Sequence, residues 1–332
     1  MHIAKVRAPV TWLDLMFLQI LTIIVPIFFV LLLGYAAGRA KEFGSDQVAG
    51  INELVLDFAL PASLFVGTVR TPRDQLLQQG PLVLALLIGT VGLYVIVFLL
   101  GRKFFRHAMG VAALQAITVC FSAGPYFGPA VLTPVYGASS AVAISMIAII
   151  LNIVIVPMTL VLIEISRGTK CSAGKSIASL VGPALVNAVK TPFVWAPFLA
   201  VALVLVGVSV PPLVDSALNL IGQATGGVAL FVAGLMIASH KVIFNLEVGV
   251  NTVLKMLVQP AVFFLLALAF GVKPPFLYEG LLLTALPSGP MGILLATRNK
   301  MYESDASSAL AVTCIAMLIT LPIVLYLIET AR

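Results

Sequence analysis

The chain has 332 residues, of which 61% are hydrophobic and 10% charged, and its formal net charge is +6. An ordinary soluble domain carries about 25% charged residues, so this composition excludes a soluble globule and points to a chain that threads a membrane many times. The positive excess is a property of loops rather than a nucleic-acid footprint, because no basic patch with interleaved aromatic residues occurs, and the three cysteines and three histidines stand in no disulfide or metal-ligand spacing.

Taken in order, the apolar windows predict ten membrane spans: Phe17–Gly38, Val48–Val69, Pro81–Leu100, Met109–Leu132, Ala141–Ile165, Pro192–Val210, Leu213–Ala238, Val248–Val272, Phe276–Ala296 and Ala306–Ile328. The first follows Lys5 and Arg7 but is too long for a signal-peptide core, and Arg39 and Lys41 close it as a helix end, so it reads as an uncleaved span. The longest polar stretch, residues 166–191, is the expected cytoplasmic linker between a first five-helix unit (1–165) and a second (192–332); inside it Ile177–Val186 could form a short surface helix. With the N-terminus outside, inner loops hold twelve of the nineteen Lys and Arg and outer segments six, so both termini are expected on the outer, periplasmic side.

Two of the spans should not be regular helices. The fourth contains Phe121-Ser122-Ala123-Gly124-Pro125-Tyr126-Phe127-Gly128-Pro129 and the ninth contains Leu286-Pro287-Ser288-Gly289-Pro290-Met291-Gly292. A helix interior loses roughly 3 kcal/mol at a proline and roughly 1 at a glycine. The two breaks lie 165 positions apart, close to half the chain length. At the same shift Pro157 falls on Pro322 and Ile163-Glu164 on Ile328-Glu329, and at 166 Leu64-Phe65 falls on Leu230-Phe231 and Asp57 on Gln223. Each half then holds an odd number of spans, so the halves must insert in opposite senses as an inverted repeat, with broken crossover helices four and nine. The fold class expected is an all-α polytopic membrane protein.

Half-helices that begin after a break offer unpaired N–H groups at a positive dipole end, which suits a carboxylate. Ser122, Ala123, Gly124 and Pro125 at one break, and Ser288, Gly289 and Pro290 at the other, are the candidate substrate site, with the two serines as added hydroxyl donors. In the second span, Asp57 lies roughly 16 Å below Asp46 at about 1.5 Å per residue, near mid-membrane, on one helix face with Glu53. Such a carboxylate marks a functional position by default; it could take a coupling proton or a cation, or form a hydrogen bond to Gln223. Asn152 joins Asp57 and Gln223 as the candidate coupling or polar site, while Gln115, Thr118 and Gln259 read as packing groups between helices. Lys255 is expected to snorkel to the inner interface, and Arg298 to set topology or to attract an anion near the inner surface. The single acidic segment Asn52-Glu53-x-x-x-Asp57 is too little for a diphosphate-clamping enzyme.

The pieces now in hand resemble the auxin efflux carrier family and, through it, the wider group with bile-acid symporter-like folds. They are the Pro26-to-Gly38 pattern, Asn52-Glu53-Leu54-Val55-Leu56-Asp57-Phe58-Ala59-Leu60-Pro61, Gly124-Pro125, Leu230-Phe231-Val232-Ala233-Gly234-Leu235 and Pro287–Pro290. Ser288-Gly289-Pro290-Met291-Gly292 is similar to bacterial malonate transporters. The resemblance implies that spans one, two, six and seven form a scaffold that also makes a homodimer, and that spans three to five and eight to ten form a mobile domain. It implies a carboxylate substrate moved across the bacterial inner membrane by alternating access, with H+ or Na+ as coupling ion and no cofactor. A sodium-coupled organic-anion symporter and a non-transporting receptor are the alternatives. The chain departs from many relatives in having no Asn at Phe121–Gly124, no acidic residue between Pro81 and Leu100, and no long central loop.

Overall fold

The structure, a computed structural model, describes residues 12–137, 139–168, 186, 190–239 and 241–331. Most of the expected linker, the expected surface helix at Ile177–Val186 except for Val186, and the cations Lys5 and Arg7 lie outside the described residues. Among the described residues there are twelve helices of nine residues or more, besides the short helix Arg73–Leu77. In chain order they are α1 (Trp12–Arg39), α2 (Ser45–Val69), α3 (Gly80–Lys103), α4 (Met109–Cys120), α5 (Gly124–Tyr136), α6 (Ser140–Arg167), α7 (Pro192–Val206), α8 (Pro212–Ala238), α9 (Leu246–Ala269), α10 (Phe276–Ala285), α11 (Met291–Asn299) and α12 (Glu303–Ala331).

Six of the described helices are long and apolar enough to cross a membrane, and shorter apolar helices accompany them. Large apolar side chains such as Phe29, Leu213, Leu265 and Ile319 stand on the outside. In water so much exposed apolar surface would drive aggregation; against lipid it costs nothing, and the protein is a polytopic membrane protein.

Helix limits follow local chemistry. Gly207, with a φ of +79°, stops α7 before the expected Val210. Gly271, with a φ of +67°, and the prolines after it end α9 at Ala269 rather than at Val272. The two breaks fall where glycine and proline put them. Phe121 and Leu286, just beyond α4 and α10, are extended, and new helices begin at Gly124 and Met291.

Three long helices each contain one π-helical turn: Val55–Ala59 in α2, Leu151–Ile155 in α6 and Leu254–Val258 in α9. Each lies two residues ahead of a proline (Pro61, Pro157, Pro260). A proline ring collides with the carbonyl four residues back and supplies no N–H. The wide turn moves that carbonyl aside, and the residue before each proline bonds to the carbonyl five back, as Leu60 does to Val55. The three turns also hold Asp57, Asn152 and Lys255, the polar residues of these mid-helix stretches.

The packing falls into two groups. α1 lies along α8, and α2 lies against α7 and α8; α3, α4, α9, α10 and α12 pack mainly on one another, and α6 lies between that group and α2. The α1–α8 crossing is a contact of backbones. A Cβ added to Gly34 would run into the carbonyl oxygen of Phe231, and one added to Gly234 would run into that of Leu31 and stand 2.6 Å from the nitrogen of Tyr35. Small residues at such crossings allow the close approach that drives helix association in lipid. At one end of this group Arg70 holds Asp215 through two bonds of 3.2 and 2.6 Å, tying the end of α2 to the start of α8. An exposed pair of this kind contributes about 0.2–1 kcal/mol.

Candidate functional site

The site begins at the breaks. The extended residues after α4 and α10 run antiparallel and form a backbone bridge between Ser122 and Ser288. The Ala123 N–H donates to the carbonyl of Pro287 at 2.9 Å, and the Gly289 N–H donates to the carbonyl of Phe121 at 2.6 Å. The broken helices therefore cross, each satisfying backbone groups that its own helix has lost, as apolar surroundings require. The approach is close enough to demand glycine: a Cβ on Gly289 would stand 2.5 Å from the Phe121 ring, and one on Gly292 would stand 2.6 Å from the Thr118 hydroxyl.

The crossing brings together Ser122, Ala123, Ser288 and Gly289, with Gly124, Pro125 and Pro290 opening or capping the helices that leave it; all seven are buried. The hydroxyls differ. Ser122 Oγ donates to the carbonyl of Leu283, whereas the buried Ser288 Oγ has no hydrogen-bond partner among the described residues. The backbone N–H of Ser288 donates to Thr313 Oγ1 at 3.2 Å.

Beside the crossing is a cavity of about 930 Å³, lined by Gly38, Ser45, Asn52, Glu53, Asp57, Asn152, Ser239, Met291, Thr297 and Arg298 among others. It opens at the end of the molecule where α1, α8 and α11 finish, called here the Arg298 face; Met291, the first residue of α11, brings it to the crossing. Asn52 links the two, since Tyr126 Oη donates to its Oδ1 at 3.4 Å. Asn152 Nδ2 is used by the carbonyl of Ala148 at 2.8 Å. The charged lining residues are Glu53, Asp57 and Arg298.

The expected bond between Asp57 and Gln223 is absent, and Gln223 is not a lining residue. It is exposed at the turn between the segments Pro212–Gly222 and Ala224–Ala238 of α8. The reason is the register of the crossing with α2. Gly222 sits against the backbone of Ser63, where an added Cβ would be 2.9 Å from its Cα, so Gln223 lies beside Ser63, more than one turn beyond Asp57.

Lys255 also departs from expectation. It does not snorkel; it is fully buried in the third π-turn, donating to Gln259 Oε1 at 2.5 Å and to the carbonyl of Thr284 at 3.2 Å. Gln259 in turn donates from Nε2 to the carbonyl of Cys120 at 3.2 Å. The last-turn carbonyls of α4 and α10, which no intrahelical N–H can reach, provide the partners that water provides in the snorkelling picture.

Lys255 and Gln259 end a polar row at intervals of four along one face of α9: Glu247, Asn251, Lys255, Gln259. Glu247 accepts from His107 Nε2 at 2.9 Å and from Tyr302 Oη at 2.7 Å. Asn251 accepts from Gln115 Nε2 at 3.0 Å and donates to Tyr302 Oη at 2.9 Å. The spacing was visible in the sequence; what it faced was not. Sequence reasoning also passed over Glu279, buried in α10 with no hydrogen-bond partner among the described residues on either carboxylate oxygen, although it is the one acidic residue of the ninth predicted span.

Burial, and after it the Glu247 and Asp305 charges, hold the Tyr302 phenol well above its ordinary pKa. A raised acid pKa supports the fold below the unfolded value, about 10, and that support fades as pH rises past it. Tyr302→Phe is therefore expected to lower the unfolding midpoint at neutral pH, by loss of two hydrogen bonds, and to flatten its fall above about pH 10. Thermal unfolding in detergent across that range checks both effects.

Crossed half-helices beside a cavity that opens to one face are the build of a membrane transport protein. Comparison with known proteins agrees: the "Membrane transport protein" family matches residues 19–325, and the chain belongs to that family, the one that contains the auxin efflux carriers. It is a transporter and not an enzyme. A protein of Escherichia coli (strain K12) named "Uncharacterized transporter YfdV" is 37% identical over 305 residues, 91% of this chain and 96% of its own length. The Shigella flexneri protein of that name matches to the same extent. A protein of Rhizobium meliloti (strain 1021) named "Putative malonate transporter" is 23% identical over 314 residues, 94% of this chain and 97% of its own.

Proposed function

We propose that the chain is a secondary transporter of a small organic carboxylate, with malonate or a related dicarboxylate as the substrate, working by alternating access in the bacterial inner membrane. The observation that carries this is the crossing: α5 and α11 both begin there, so the positive ends of two helices, with the first-turn N–H groups of α11 free of a main-chain acceptor, and the Ser288 hydroxyl, unpartnered among the described residues, are at one place. The distant relative named for malonate supports the choice of substrate. Arg298 in the cavity would draw the anion in. Glu53 and Asp57 on the same wall would repel it unless a cation or proton accompanies it, which favours H+ or Na+ symport with Asp57 as the coupling group.

In this reading the ten spans form two inverted five-helix repeats. The group of α1, α2, α7 and α8 is the scaffold, through which a homodimer forms. The remaining helices move as a unit, and both termini lie on the periplasmic side. The packing of α1 on α8 and of α2 on α7 supports that division.

The test is uptake of radiolabelled malonate by proteoliposomes. Uptake is expected to respond to an imposed proton or sodium gradient. Ser288→Ala, which removes one hydroxyl bond to a charged ligand, is expected to reduce uptake about tenfold or more while the unfolding midpoint stays near that of the parent. Unchanged uptake in Ser288→Ala and Pro290→Ala would remove the crossing as the binding place.

A further inference from the structure

The C-terminal ends of α4 and α10 meet at the crossing, and three buried side chains bond to their last carbonyls: Ser122 to Leu283, Lys255 to Thr284 and Gln259 to Cys120. A helix C-terminus carries about half a negative elementary charge, so the two ends together carry roughly one. Among the described residues no carboxylate is paired with Lys255; its ammonium is held by the Thr284 carbonyl and the Gln259 amide oxygen. Gln259 extends the arrangement to the Cys120 carbonyl. An ammonium in apolar surroundings without a carboxylate partner is costly unless other dipoles replace it, and the two helix ends are those dipoles.

With the ammonium removed, what remains is a buried pair of neutral oxygens, the Thr284 carbonyl and the Gln259 amide oxygen, with Gln259 itself fixed by its bond to the Cys120 carbonyl, under about one negative charge. Half-helix C-terminal ends and unwound carbonyls are the ligands with which transporters built on broken helices hold small monovalent cations. We propose that Lys255 is a tethered cation that fills a monovalent-cation site at the crossing, so that this place takes no sodium ion from solution. For coupling, which rests on the transport reading above, sodium then has no role at the crossing, and the cavity-lining Asp57 is left as the group that would take up a proton.

The occupancy is testable without transport. The purified full chain is unfolded thermally in choline chloride and in sodium chloride at equal ionic strength. The wild type is expected to unfold at the same temperature in both. Lys255→Ala is expected to unfold earlier than wild type in choline and to gain several degrees in sodium chloride or methylammonium chloride. Lys255→Arg, which keeps the charge, should show no such gain. A sodium-induced rise in the wild type overturns the proposal, because the site would then be open. So does a folded Lys255→Ala that ignores every cation, or one recovered folded in neither salt; recovery in sodium alone supports it. Malonate uptake is then measured with sodium replaced by choline. Absence of uptake under any gradient would sink the substrate reading and leave the cation result standing.

Discussion

Gly289→Ala is expected to abolish malonate uptake and to lower the unfolding midpoint, because a methyl group there stands 2.5 Å from the ring of Phe121. Phe121 is fully buried among the core residues, so its ring has nowhere to turn. Relief must come from the backbone, and the nearest joint is the bond from Gly289 N–H to Phe121 oxygen, which closes the bridge between the broken helices. Overpacking of this kind costs about 1–3 kcal/mol, but the functional loss should exceed the stability loss, since the displacement falls on the first turns that would hold the substrate. Uptake and thermal unfolding measured on one preparation separate the two. Full uptake with a lowered midpoint would show that the bridge does not set the binding geometry.

The second large effect is on assembly. Gly234→Leu is expected to prevent recovery of folded protein from detergent extracts. A side chain at this position meets the main chain of α1 at Leu31 and Tyr35, and a main chain cannot choose another rotamer. The helices would have to separate along the crossing that Gly34 and Gly234 share, at a cost at or above the upper end of the ~1–3 kcal/mol range for overpacking. Size-exclusion profiles read the outcome directly. A monodisperse Gly234→Leu protein with a parental midpoint would mean that α1 is not held by this contact.

What the sequence made legible was local. Proline and glycine at Gly124-Pro125 and Gly289-Pro290 mark the breaks because they act on their own helix, and the structure breaks both helices there. The bridge pairs Ser122 with Ser288, which lie 166 positions apart, one more than the 165 that separates the two Gly-Pro breaks. What depends on how two helices meet was not legible. Asp57 and Gln223 lie 166 positions apart and were expected to meet, yet the helix crossing at Gly222 and Ser63 puts them apart. Lys255 has the composition of an interface residue and became a buried one because two other helices end beside it. Charge and hydropathy describe what a residue prefers in lipid or water; they do not record that main-chain carbonyls at the ends of two other helices are short of donors.

The π-turns in α2, α6 and α9 bear on how these helices can bend. A regular helix resists bending because some backbone bond must lengthen or break. At Pro61, Pro157 and Pro260 that bond is missing already, and the wide turn before each holds slack in the winding. Flexing at these three points gives up no further hydrogen bond, and the helix on either side can swing as a stiff lever. Two of the points, at Asp57 and Asn152, adjoin the cavity, and the third, at Lys255, adjoins the crossing. The articulation of the molecule is thus placed at the residues that would have to sense the cargo.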